Sequence, residues 1–176
     1  MSATYECLLS MLDDRGASYD ILDHATLSLH FAGQVAVYRI VVLVDEENEL
    51  LSVFGHWDHF IPPGCVPDIL DATSRANAGM MFGKFEVHRH PDSTVIRFSC
   101  AQIIPEIHGV DQSIIDRMLG VTMKMLDVYV PAFLSVIYGN ELPADAVCRV
   151  EGPYQDGDGD DDNCQDDDTE NSTPTE

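Results

Sequence analysis

Ile114, Ile115, Met118, Leu119, Thr122, Met125, Leu126, Tyr129, Phe133 and Ile137 recur at intervals of three and four residues, the period of one face of an α-helix. Asp111 or Ser113 can cap its start, and Gly139-Asn140 can end it. So broad an apolar face has to be covered along most of its length, and the rest of the chain must supply the surface. Pro131 falls inside the stripe. It removes one intrahelical hydrogen bond and crowds the turn before it, which predicts a bend near Asp127 to Tyr129 that wraps the helix around a sheet.

The sheet is announced earlier in the chain by a change of period. Leu27, Leu29 and Phe31 alternate with Ser28 and His30, Ala32-Gly33-Gln34 makes a turn, and Val35 to Val44 is apolar enough for a central strand covered on one face. The acidic turn Asp45 to Glu49 leads into a short strand from Leu50 to Phe54. Phe82 to Arg89 and Thr94 to Cys100 flank His90-Pro91-Asp92-Ser93, whose composition favours a hairpin turn. Two further helices are predicted. Ser2 to Arg15 places Tyr5, Leu8, Leu9 and Leu12 on one face before Gly16, and Val66, Ile69, Leu70 and Thr73 keep helical spacing to about Ala78, with Pro67 in the first turn and Gly79 as the exit. The order helix, strands, helix, hairpin, helix gives an α+β domain. It consists of an antiparallel sheet of about five strands packed by N-terminal, middle and C-terminal helices.

That domain spans residues 1–150, and residues 151–176 form a disordered acidic tail. The segment Glu151 to Glu176 holds eleven Asp or Glu, no Lys or Arg, and little that is apolar beyond Tyr154, so it cannot offset its ordering entropy by burial. The whole chain carries 31 acidic residues against 9 Lys and Arg, a formal net charge of −22. Without the eleven acids of the tail the domain still has 20 against 9, a net of −11. Nucleic acid and anionic membrane surfaces are therefore disfavoured as partners, whereas a basic partner suits the charge.

The five cysteines, Cys7, Cys65, Cys100, Cys148 and Cys164, are odd in number and contain no C-x-x-C pair. They read as free thiols in a reducing compartment. Glu6, Asp13 and Asp14 replace the basic start of a signal peptide. The longest continuous apolar run is Ile40 to Val44, far short of the roughly 20 residues of a membrane helix. A soluble, cytoplasmic protein is expected.

No residue pattern carries a recognised chemistry. Asp156, Asp158, Asp160, Asp162 and Asp167 mimic part of a calcium loop, but Asp161 stands where the sharp turn needs Gly. A solvated tail that keeps the protein in solution accounts for the run, and no metal ligands are assigned. His56-Trp57-Asp58-His59, and His88 with His90, place imidazoles near one another without matching H-E-x-x-H or zinc-finger spacing. Trp57 and Phe60, if exposed beside Ile61, make an apolar contact patch for a protein partner. The alternative is a loop folded over the core. Met118, Met123, Met125, Tyr129 and Phe133 suit an adaptable binding surface, although such a stripe is more often core or dimer interface. No nucleophile elbow, P-loop or dinucleotide fingerprint occurs.

Three segments carry a family likeness. They are Asn77-Ala78-Gly79-Met80-Met81-Phe82-Gly83-Lys84-Phe85-Glu86, Thr94-Val95-Ile96-Arg97-Phe98, and Leu126-Asp127-Val128-Tyr129-Val130-Pro131-Ala132-Phe133-Leu134-Ser135-Val136-Ile137-Tyr138-Gly139. Together with the element order, which covers most of residues 1–150, they resemble the YbjN family of bacterial sensory-transduction regulators, which share the fold of type III secretion chaperones. The Asp-rich tail is not part of that pattern. The resemblance implies a homodimeric, non-enzymatic module without a cofactor that binds an extended segment of another protein.

The expected function is accordingly a protein-binding or regulatory module. Its contact residues are expected among Trp57, Phe60, Ile61, Met118, Met125, Tyr129 and Phe133. Two rivals stand beside it. One is an acidic-tail docking protein for a basic partner, and the other an enzyme with a site around His56, Asp58 and His59.

Overall fold

The computed structural model of the protein describes residues 3–91, 93–104 and 111–152. Its elements are α1 (Ala3–Asp14), β1 (Tyr19–Ile21), β2 (Thr26–Ala32), β3 (Val37–Asp45), β4 (Leu50–Trp57), α2 (Val66–Ala78), β5 (Lys84–Arg89), β6 (Thr94–Ile103), α3 (Gln112–Tyr138) and α4 (Pro143–Glu151), with a 3-10 turn at Pro63–Cys65. The six strands make one antiparallel sheet in the order β1-β2-β3-β4-β6-β5. The protein is α+β, as the pattern of periods predicts.

Alternation along the strands decides which face is covered. Leu27 and Leu29 of β2, Tyr38, Ile40, Val42 and Val44 of β3, Leu51, Val53 and Trp57 of β4, and Ile96, Phe98 and Cys100 of β6 are all buried on the inner face. α3 packs across β4, β6 and β3 on that face and buries eleven residues, among them Met118, Leu126, Tyr129 and Phe133. By length and apolarity α3 would suffice to cross a membrane. Its apolar stripe is instead the centre of the core.

The start of α3 is fixed by Asp111, whose Oδ1 accepts a 2.9 Å hydrogen bond from the Ser113 backbone N–H. The helix runs through Pro131 to Tyr138. Around it the other elements are tied in turn. The Asp127 carboxylate accepts from the Gln34 backbone N–H at 2.9 Å, holding the β2–β3 turn. Arg15, in the turn after α1, pairs with Asp116, and the Tyr5 hydroxyl donates to the carbonyls of Asp23 and Thr26 at 3.3 Å. Tyr129 donates to Glu151 at 2.7 Å, which docks the end of α4.

The structure adds to the sequence reading at four points. β1 brings the strand count to six, β4 continues to Trp57 and β6 to Ile103, and α4 follows α3 through the turn at Gly139 and Asn140. The Asp-rich tail, with its calcium-loop resemblance, lies outside the described residues.

Two glycine substitutions test the packing of α3. A Cβ added at Gly55 of β4 would lie 2.5 Å from Thr122 Cγ2 and 2.7 Å from Leu126 Cδ1, so Gly55→Ala forces the helix off the sheet and costs ~1–3 kcal/mol. Gly120 lies on the exposed side of α3 with nothing within 4 Å of its added Cβ, so Gly120→Ala stabilises by ~1 kcal/mol. Urea unfolding of the two variants should move in opposite directions.

Candidate interaction site

Residues opposite one another in an antiparallel pair share a face, and on the outer face of this sheet the pairing builds a polar row. His30 of β2 stands opposite Arg39 of β3, Arg39 opposite His56 of β4, His56 opposite Arg97 of β6, and Arg97 opposite Glu86 of β5. Glu86 gathers cations: Arg97 Nε at 2.8 Å, Lys84 Nζ at 2.9 Å and His88 Nε2 at 3.3 Å. Partial burial would raise this carboxyl, but the hydrogen bonds from Lys84, Arg97 and His88 outweigh it and hold it at about 2. The Arg97 guanidinium also lies 4.6 Å from the centroid of the Phe54 ring, a cation–π contact. Beside this row Val41 and Phe54 are half-buried and stand apart from the single core cluster.

The end of β4 leads from this face to the edge of the domain. Trp57 returns to the inner face, and His59 stacks on it with ring centroids 4.6 Å apart and planes 8° apart. His59 also meets the Tyr138 hydroxyl. The Ile61 backbone N–H donates to the Thr94 carbonyl at 2.9 Å, pinning the segment to the start of β6. Phe60 is 50% exposed between these anchors. It rims an open cleft of about 400 Å³ lined by Ile61, Pro63, Val66, Pro67, Arg89 and Pro91.

The residues singled out as contacts therefore separate. Trp57, Ile61, Met118, Tyr129 and Phe133 are buried, so the contact patch of Trp57 and Phe60 beside Ile61 is corrected to Phe60 alone, and the strand end and loop pack over the core as in the alternative reading. Phe60 is exposed and Met125 half-buried. His56, Asp58 and His59 have three different surroundings: His56 lies between Arg39 and Arg97, Asp58 pairs with Arg39 at 3.3 Å, and His59 stacks on Trp57. His88 and His90 do share a face, with ring centroids 6.4 Å apart. Among the described residues no three His, Cys, Asp or Glu are grouped to hold a metal ion. The row from His30 to Glu86 escaped the sequence reading, because only the pairing register brings positions 39, 56 and 97 together.

Partial burial and then Arg39 push the His56 imidazole down to about 4, with Arg97 and His88 adding to the effect and Asp58 opposing it. The unfolded chain thus binds a proton that the folded chain refuses between the ordinary value of 6.5 and about 4. The stability contributed by neutral His56 is fully present above pH 6.5 and is lost as pH falls towards 4. His56→Gln should reduce the fall of the urea midpoint across that interval. Carboxylate titration is common to both proteins and cancels in the difference.

Comparison with known proteins places the chain in a family. The sequence profile of YbjN, described as "Putative bacterial sensory transduction regulator", matches residues 4–135. No curated protein matches the sequence. Among solved structures, the crystal structure of YbjN from E. coli, described as "a putative transcription regulator", superposes with a TM-score of 0.55 at 14% identity, covering 77% of this chain and 90% of that one. That similarity concerns the fold. The match over residues 4–135 takes in α1, the whole sheet and all but the last turn of α3, and the chain belongs to the YbjN family.

Proposed function

We propose that the protein is a non-enzymatic regulatory module that works by binding other polypeptides, receiving an extended segment at the cleft rimmed by Phe60 in a chaperone-like manner. The family description as a sensory transduction regulator supports the regulatory part. The observation that carries the binding part is Phe60 itself, a half-exposed aromatic ring above a floor of buried Ile61 and Val66. Pro63, Pro67 and Pro91 wall the cleft and supply no backbone donors, so it suits an inserted apolar side chain rather than an added strand. Arg89 and His90 at its margin favour a segment that carries a carboxylate beside that side chain. Strand addition is also opposed at β5, where the Asn77 side chain already bonds the backbone N–H and carbonyl of Phe85 at 2.7 and 2.9 Å.

The same reading has the protein acting as a homodimer in the cytoplasm. Among the described residues Cys65, Cys100 and Cys148 take part in no disulfide, which accords with a reducing compartment. Tyr138 and Leu142, 63% and 67% exposed where α3 turns into α4, are apolar surface that a dimer would bury.

A photo-cross-linking side chain at position 60 of the full protein should capture polypeptides in a native extract, whereas the same group at exposed Glu47 should not. Equal capture at both positions, or none at 60, would remove the cleft from this reading. For the dimer, Tyr138→Ser combined with Leu142→Ser should shift sedimentation velocity towards the monomer. An unchanged profile would exclude that surface.

A further inference from the structure

The chain has nine Lys and Arg against 31 Asp and Glu, yet its outer sheet face draws three of the nine into one strip. Arg39, Arg97 and Lys84 project there together with His30, His56 and His88, opposed by the carboxylates of Glu86 and Asp58. Three permanent cations against two carboxylates give the strip a net positive charge on a protein of net −22. Arg39 meets Asp58 only at 3.3 and 3.4 Å, and the Asp58 side chain is 66% exposed. Exposed pairs of this kind hold weakly, so another carboxylate can displace Asp58.

The described chain ends at Gly152 on the helical side of the sheet, near its β5 edge. α4 ends at Glu151, which Tyr129 holds, and the Tyr129 ring lies 5.3 Å from that of Phe85 on the edge strand β5. Phe85 sits between Lys84 and Glu86, whose side chains belong to the outer face. Five residues from Glu151 to Asp156 span about 16 Å when extended, enough to round a sheet edge. Strands lie about 4.8 Å apart, so the three steps from β5 through β6 and β4 to β3 cover about 14 Å, which four or five further residues can follow. The aspartates at 156, 158, 160, 161, 162, 166, 167 and 168 occupy that reach with no Lys or Arg among them.

We infer that the Asp-rich segment 156–168 docks on the cationic strip of its own domain formed by Arg39, His56, Arg97 and Lys84. Tethering raises the local concentration of the aspartates to the millimolar range, so contacts too weak to hold a free peptide are populated within one molecule. Counter-ions screen them. The docking is independent of the Phe60 cleft, which lies at another surface and is tested by cross-linking there.

Nuclear magnetic resonance of the full chain provides the test, with wild type compared to a variant carrying Asp156→Asn, Asp158→Asn, Asp160→Asn, Asp161→Asn and Asp162→Asn. Relative to wild type at low salt, the variant should shift the amide and arginine Nε–Hε signals of His30, Arg39, His56, Arg97 and Lys84. High salt should reproduce those shifts in wild type and leave the variant nearly unchanged, at any protein concentration. Shifts confined to residues 153–176 or to the helical layer would overturn the docking. Shifts that fade on dilution would assign the contact to a second copy and overturn it equally. In the reciprocal variant, Arg39→Gln with Arg97→Gln, the signals of the aspartates should move to their high-salt positions. Failure of that variant to fold would leave the aspartate variant as the deciding measurement.

Discussion

The packing of α3 onto the inner face of β4 and β6 is the contact on which the other parts of the molecule depend. It is close because β4 offers Gly55 beneath Thr122 and Leu126, and firm because Phe133 meets Phe85 edge-on at 5.2 Å, as Phe85 meets Phe98. Thr122 satisfies its buried hydroxyl within the helix by donating to the Met118 carbonyl at 2.8 Å, so a polar residue is carried into the core without an unmet bond. The same helix then reaches outward: Asp116 to Arg15 just after α1, Asp127 to the β2–β3 turn, and Tyr129 to α4. An element seated on the sheet by dispersion and burial thereby sets the position of three others through directed polar contacts.

This arrangement leaves the sheet two-sided in chemistry. The inner face is apolar and closed by helices. The outer face, where Ser28, Ser52 and Ser99 are buried among larger neighbours, holds its few charges in a row fixed by strand register. Arginine suits such a row, since its planar guanidinium can pair with a carboxylate and lie over an aromatic ring together, as Arg97 does with Glu86 and Phe54. β4 contributes to both surfaces, placing His56 in the polar row and leading on into the loop that carries Phe60.

Much of this was legible in the residues, and the parts that were not have physical causes. α2 begins at Val66 and ends at Ala78, where its apolar spacing, Pro67 and Gly79 place it, and Asp111 caps α3 as its side chain allows. β1 has three residues, too few to show a period. α4 buries only Ala146 and Val147, so it has no stripe to read. Read from the residues alone, the strand stops at Phe54, since Gly55 interrupts the apolar alternation. In the structure that glycine lets Thr122 and Leu126 of α3 lie against β4, and Leu51, Val53, Gly55 and Trp57 keep the alternation unbroken. The charged row was invisible for a different reason. Alternation assigns Arg39, His56 and Arg97 each to an outer face, but adjacency across strands follows from turn lengths and pairing, which a linear reading does not supply.

The position of α3 in the chain has a consequence for biosynthesis. A ribosome releases β2, β3 and β4 some fifty residues before the helix that covers their apolar face begins at Gln112. For that interval the nascent meander carries Leu27, Ile40, Val42 and Val53 without the helix that covers them, only α1 and α2 having been made, the condition in which partly made sheets associate with one another. Completion of the core waits on the emergence of Phe133 and its neighbours, so its apolar face is covered late in synthesis.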